Sequence, residues 1–343
     1  MLSLSFNQNP TPITIGMKTR HPKYMRLLLL MTISLLSFNC GNNTAAAIKA
    51  KSPAPFNLIT EKQFNDLFPQ RKPFYTYAAF IKAVHELGNI QVKVSRHSTS
   101  FYQYIRTDKS TGKTVTVRQD ANWNESWAKA KADSVYTVDY SKFCTEKDVQ
   151  TNKKELAAFL ANIAHETRDG DYGKYIYGLM YTREIDTSNM YIAPNDAYLP
   201  VAGKRYYGRG PMQLSYNGNY GKASDFIFGD KKVLLNNPKL IETDPVIAFE
   251  TAIWFWMTPE TNKPSAHDVM IGKWQPNATD KAEGRTPGFG MTVNIINGPI
   301  ECNKGDNRGM NDRIGFYQYF LKQLGATDPN CACSCAKMVA YHY

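Results

Sequence analysis

Tryptophan, histidine and cysteine are scarce in this 343-residue chain, at five, six and six residues. The tail CACSC at 331–335 lacks the paired C-x-x-C spacing and nearby histidines of a zinc site. His165-Glu166 opens a zinc-protease pattern, but position 169, where the second histidine would fall, is Asp. Long apolar runs are also missing. LLLLMTISLLSF at 27–38 spans 12 residues, too few for a membrane-crossing helix. Acidic residues are outnumbered 30 to 41 by basic ones, for a formal net charge of +11. No Lys/Arg run is interleaved with aromatics, which excludes a nucleic-acid-binding pattern. The excess reads as a solvated basic surface, open to an anionic membrane or wall polymer. No internal repeat is present. The 43% hydrophobic content supports a sizeable core.

The short apolar run fits the core of a signal peptide, preceded by basic MKTRHPKYMR at 17–26. Met17 and Met25 are alternative starts. The run ends at Asn39-Cys40-Gly41, where Cys40 is a candidate lipidated first residue and membrane anchor; plain secretion is the alternative. Residues 1–40 are thus read as a signal, 41–55 as a small, polar, Pro-ended linker, and 56–343 as the folded domain. Export makes disulfides plausible. Cys302 is expected to pair with one tail cysteine among Cys331, Cys333 and Cys335, with Cys144 competing.

Helical patterns dominate. Residues 73–88 read as a helix with Thr76 as N-cap and Gly88 as stop. Residues 152–167 form the clearest amphipathic helix. Residues 243–259 carry Asp244 as cap, Pro245 at the first position and an apolar surface nearly all round, hence a buried central helix. Residues 311–325 make a last amphipathic helix. Between the first two, residues 101–119 alternate around a Ser-Thr-Gly turn and read as a β-hairpin. Residues 206–221, YYGRGPMQLSYNGNYG, show neither period. Glycine at that density lets backbone approach a ligand, and Tyr and Asn offer flat faces with hydrogen-bonding tips. That chemistry suits a sugar.

In the helix 152–167, Glu166 comes seven residues after Phe159 and three after Ile163, and so falls on their apolar face. A poorly solvated carboxyl there meets the requirement for a general acid on a glycosidic oxygen. A second carboxylate is then needed, and spacing leaves Asp169, Asp171, Glu184 and Asp186 open. Arg313 shares an apolar helix face with Tyr317 and Phe320 and calls for an acidic partner, Glu301 or Glu166.

AFLANIAHET, GKRYYGRGPMQLSYNGNYG (203–221), FETAIWFWMTP (249–259), GFGMTVNIINGPIEC (288–302) and DRIGFYQYF (312–320) together closely resemble glycoside hydrolase family 19 chitinases. The resemblance runs from about Phe74 to Gly325, interrupted at about 89–150. It implies a mainly α, lysozyme-like α+β fold, bilobal, with a small sheet and a substrate cleft. It implies a monomeric enzyme that hydrolyses β-1,4 bonds between N-acetylglucosamine units of chitin or chitooligosaccharides, with inversion and without metal or cofactor. By the same resemblance Glu166 matches the general acid, Glu184 the general base, and Ser215 a residue that holds the attacking water. Tyr206, Gln213, Asn219, Lys263 and Asn297 match cleft residues that contact sugar. Glu301 and Arg313 match a charged network beside the acid. An inverting pair is expected roughly 6.5–9.5 Å apart, leaving room for water.

Several positions depart from the family pattern. Thr167-Arg168-Asp169-Gly170-Asp171-Tyr172 replaces the usual Thr-Gly-Gly-Trp continuation, and Tyr198 stands where a Trp often stacks on sugar. The loop 185–202 has no cysteine. Residues 89–150 are an insertion that caps the cleft, binds substrate or only packs. Two other functions stay open: a peptidoglycan-directed lysin of the same family, and an inactive chitin-binding protein.

Overall fold

The computed structural model describes residues 56–97, 100–130, 134–260 and 262–341. The segment read as a signal, Cys40 and the expected linker to residue 55 lie outside these. The described residues belong to one compact unit.

Helices α1 (Glu61–Leu67) and α2 (Tyr77–Gly88) open the domain. Thr60 and Gln63 close a reciprocal capping box on α1, and Thr76 caps α2 by accepting from Ala79 N–H, as its sequence predicts. Gly88 is not a stop. It is the last helical residue, and Asn89, in right-handed helical conformation, caps the end. Four strands come next: β1 (Ile90–His97), β2 (Phe101–Asp108), β3 (Lys113–Gln119) and β4 (Ser134–Asp139). They form an antiparallel sheet in the order β3-β2-β1-β4. The expected hairpin is its β2–β3 half, so the stretch 89–150 holds a sheet and not a single hairpin.

The sheet has a sided register. Val94 pairs with Tyr104 on one neighbour and Tyr136 on the other, and Val92 with Arg106 and Val138. Cross-strand partners share a face. That face packs on the helical body through Tyr104 against Phe226, with ring centroids 5.1 Å apart. Arg106 donates to the carbonyls of Phe226 and Ile227, satisfying a helix C-terminus.

The body contains α3 (Val149–Glu166), α4 (Asn217–Phe228), α5 (Lys232–Asn236), α6 (Leu240–Thr243) and α7 (Pro245–Met257). It continues with α8 (Ala266–Met270), α9 (Ala278–Ala282), α10 (Phe289–Glu301) and α11 (Arg308–Gln323). Helix α3 starts at Val149, earlier than its apolar period shows, because Asp148 accepts from Gln150 and Thr151 N–H. Helix α7 is the buried centre: Phe249 and Trp256 are fully covered. Phe159 of α3 meets Trp256 edge-on at 5.7 Å. Each such side chain contributes roughly 2–3 kcal/mol of burial.

Glu250 sits on this helix, 6% exposed. Burial, then the nearby charges of Glu86 and Asp244, push its carboxyl up to about 8 from an ordinary 4.5. An acid with a raised folded pKa holds its proton more tightly when folded, so stability falls as pH rises from near 4.5 and levels off above about 8. Glu250→Gln is therefore expected to match the wild type in melting temperature at pH 4. At pH 8.5 it should exceed it by several degrees, the shift from 4.5 to about 8 setting an upper bound of about 5 kcal/mol. A calorimetric pH series checks this; equal melting points at both pH values would refute it.

Cysteine pairing is selective. Cys302 bonds Cys335, and Cys331 bonds Cys333. Cys144 is buried and free, so it is no competitor for the tail. Its backbone N–H instead donates to Glu155, which also accepts from Trp256 and bonds His267 at 2.6 Å. The Cys302–Cys335 link spans a sequence separation of 33 and fastens the tail to the end of α10. Closing such a loop stabilises by roughly 4 kcal/mol in the chain-entropy picture.

Candidate active site

Glu166 is the last residue of α3, and the adjoining Thr167 organises the turn out of the helix. Thr167 is fully buried. Its hydroxyl donates to Ile163 O and accepts from Leu179 N–H, and its carbonyl accepts from Met180 and Tyr181 N–H. Tyr75 O–H fixes the Tyr181 carbonyl at 2.9 Å. The chain carrying Glu184 thus departs from beside Glu166. Gly210 N–H donates to Thr182 O, and Glu184 N–H to Gly208 O at 2.9 Å. Glu184 is in this way laid along the Gly- and Tyr-rich stretch.

That stretch is built by contacts within itself. Arg209, 2% exposed, stacks on Tyr207 with its guanidinium carbon 3.6 Å from the ring centroid. It donates to the Tyr220 hydroxyl oxygen at 2.9 Å. Gln213 and Tyr216 hold positive φ, 49° and 72°, a strained choice for residues with a side chain. The turn brings Ser215 Oγ to Gln213 O (3.0 Å) and Asn219 Nδ2 to Ser215 O (2.9 Å). Helix α4 begins inside the stretch, at Asn217, a helical start that its glycines conceal.

Arg313 of α11 gathers the charges around Glu166. It is completely buried. Its Nη2 donates to Glu166 Oε1 and to Glu301 Oε1 (2.7 Å), its Nε to Glu301 Oε2 (3.0 Å), and its Nη1 to Asn162 Oδ1 (3.0 Å). The acidic partner is therefore Glu301 and Glu166 together. Burial works to raise the Glu301 carboxyl, but the charge and hydrogen bonds of Arg313, with His165 and Asn297, hold it below its ordinary value. Asn297 donates to Glu301 Oε1 at 2.7 Å. It breaks the helical dihedrals of α10 (φ −140°), two residues before Pro299, and the kink turns its amide toward the carboxylate.

Glu184 is held differently. Tyr191 O–H donates to its Oε2 at 2.9 Å, and burial, then Glu184 itself, pushes the Tyr191 phenol up to about 12. Glu184 Oε1 is buried and has no hydrogen-bond partner among the described residues. One oxygen is fixed and the other has no such partner. Glu166 and Glu184 thus sit in unlike surroundings, one on a buried guanidinium and one on a phenol.

Lys263 is 8% exposed and donates to Ile295 O at 3.1 Å, against α10. Two positions fail as sugar contacts. Tyr198 is 2% exposed; its ring fills the space over Gly221, where a Cβ would lie 2.4 Å away, and Arg118 covers it at 5.6 Å. Tyr206 is wholly buried, donating to Leu235 O and accepting from Val201 N–H. Both are core residues that shape the loop from inside.

Three residues around the site escape sequence reasoning. Asn162 lies one turn before Glu166, a spacing that could have drawn attention to it. Asp312 is hydrogen-bonded to His165 at 2.7 Å and ion-paired with Arg168 at 3.1 Å, next to the acid in sequence through His165. Tyr191 lies in an aperiodic loop and carried no signal.

A helical body, a small antiparallel sheet and two differently held carboxylates on one helix end and one loop define a lysozyme-like α+β protein. The family described as class I chitinase, glycoside hydrolase 19, matches residues 118–333, and the chain belongs to that family. It is 48% identical over 201 residues to an endochitinase of Pisum sativum, covering 57% of this chain and 61% of that protein. It is 48% identical over 193 residues to endochitinase 1 of Gossypium hirsutum, covering 55% and 59%. The chain thus spans about 60% of the length of the curated relatives it matches. Among solved structures it resembles chitinase C from Streptomyces griseus, with 30% identity, TM-score 0.53 and coverage of 81% of this chain and 80% of that one. It also resembles a family 19, class IV chitinase from Zea mays, with 27% identity, TM-score 0.52 and coverage of 81% and 98%.

Proposed function

We propose that the protein is an endo-acting chitinase that cleaves β-1,4 bonds between N-acetylglucosamine units with inversion. The carrying observation is the contrast between the two glutamates: Glu166 against Arg313, Glu184 pinned at one oxygen and without a hydrogen-bond partner at the other. In this reading Glu166 protonates the leaving oxygen. Glu184 Oε1 takes a proton from a water that attacks the opposite face of the ring, and Ser215 steadies that water. Gln213, Asn219, Lys263 and Asn297 offer amides and an ammonium to hydroxyls and acetamides. Arg313 and Glu301 keep Glu166 in place. Membership in the family and the names of the relatives support this reading. The basic segment and apolar core before Cys40 support an exported protein, secreted or lipid-anchored, and we propose that it acts as a monomer.

An NMR time course with chitohexaose and the domain from residue 41 tests the mechanism. The α-anomer is expected first. An early β-anomer would refute inversion. Absence of cleavage, together with release of fragments from purified peptidoglycan, would move the substrate to bacterial wall.

A further inference from the structure

A cavity of about 560 Å³ opens near Lys263, lined by Glu260, Asn262, Lys263, Trp274, Asn277 and Tyr341 among others. One wall is the chain's tail. Arg285 stacks on Tyr341 at 3.7 Å and donates to the carbonyls of Val339 and Ala340, and Tyr341 O–H donates to Asp280 at 3.0 Å. Glu260, also in the lining, is linked through Lys222 to the four-stranded sheet. Glu260 Oε1 takes a hydrogen bond of 2.7 Å from Lys222, whose side chain is only 11% exposed while that of Glu260 is 43% exposed. The Lys222 ammonium lies 5.9 Å from the Tyr104 ring and 5.8 Å from the Phe226 ring. Tyr136, on the same sheet face as Tyr104 two strands away, is half-buried beside this pair. The sheet therefore does more than fill space. It places aromatic rings beside a buried lysine, and that lysine fixes a carboxylate at a cavity mouth.

The cavity shares Lys263 with the residues matched to sugar contacts. Asn219 and Lys222 are three residues apart on one face of α4. Glu260 pairs with Lys263 in an isolated β-bridge. Lys263 reaches Ile295 O, two residues before Asn297. Two sugar-contact candidates thus lead directly to it. Its chemistry is an indole, amides and a fixed carboxylate, which matches the weakly apolar ring face and the hydroxyls of a hexosamine.

We propose that the inserted sheet and the tail together build an extra saccharide-binding shelf, Tyr136, Lys222–Glu260 and Trp274, for N-acetylhexosamine units distant from the bond being cut. This rests on the chitinase reading. The test is calorimetric binding of chitohexaose and chitotriose to protein carrying Glu166→Gln, with and without Glu260→Ala or Trp274→Ala. Either second change is expected to weaken chitohexaose about tenfold and chitotriose less than about twofold. The ratio of kcat/KM for hexamer over trimer in protein retaining Glu166 should fall alike, which covers a Glu166 variant that folds poorly. Equal weakening of both oligomers, or of neither, overturns the shelf alone. Failure of the Glu166→Gln protein to bind either oligomer, with no cleavage by the parent, overturns the shelf and the chitinase reading together.

Discussion

Glu166→Gln is expected to lower turnover of chitohexaose by about a thousandfold or more while leaving its affinity within a fewfold. The amide keeps the size of the carboxyl and can still meet Arg313, so the fold should persist. What it loses is the proton to be donated. Arg313 retains both oxygens of Glu301, which limits any loss of stability. Measured turnover near the wild-type rate would remove Glu166 from the acid role. Lost activity with lost binding would instead place Glu166 in substrate recognition.

Arg313→Met should be the most destabilising single change in the site. It leaves Glu301, 3% exposed, buried without its counter-charge, and strips Asn162 and Glu166 of a partner. Breaking a buried ion pair from one side costs roughly 3–5 kcal/mol, or on the order of 10 °C in melting temperature for a domain of this size. Adding Glu301→Gln should return much of that stability, because the stranded charge is then gone, but not the activity. The pH dependence has a defined sign. The Glu301 carboxyl is lowered in the folded state, so its contribution is present above the ordinary carboxylate range and is lost as pH falls through the lowered value. The penalty for Arg313→Met should therefore shrink in acid. A penalty that stays constant with pH would show that lost packing, not the ion pair, is responsible.

Elements with strong local codes were legible in the sequence. Asp244-Pro245 and the all-round apolar surface define α7, and Thr76 defines the start of α2. Local codes fade where tertiary contacts decide. Gly218 and Gly221 lower the helical propensity of α4, yet packing of Tyr220 and Phe226 makes it a helix. The four-stranded sheet showed only its β2–β3 hairpin, and β4 in particular pairs with β1, which lies far from it in sequence. Among site residues, the partnership of Arg313 with Glu301 and Glu166 arises from charge on an apolar face. Tyr198 and Tyr206 were placed on the sugar by resemblance to a sequence pattern, which does not report which way a ring turns. Tyr191 needed the folded loop to bring its hydroxyl to Glu184.

The pairing of Tyr198 with Gly221 constrains how this loop could have changed over time. A single methyl at position 221 would collide with the ring, 2.4 Å from its nearest atom, so the ring would have to leave its pocket. Positions 198 and 221 therefore cannot drift separately. A small residue at 221 allows a large one inside at 198, and a larger residue at 221 forces position 198 either to shrink or to swing outward. The second route would turn a core aromatic into a surface one by a substitution 23 positions away, a path by which a lineage could gain or lose an exposed ring beside this cleft without altering residue 198 itself.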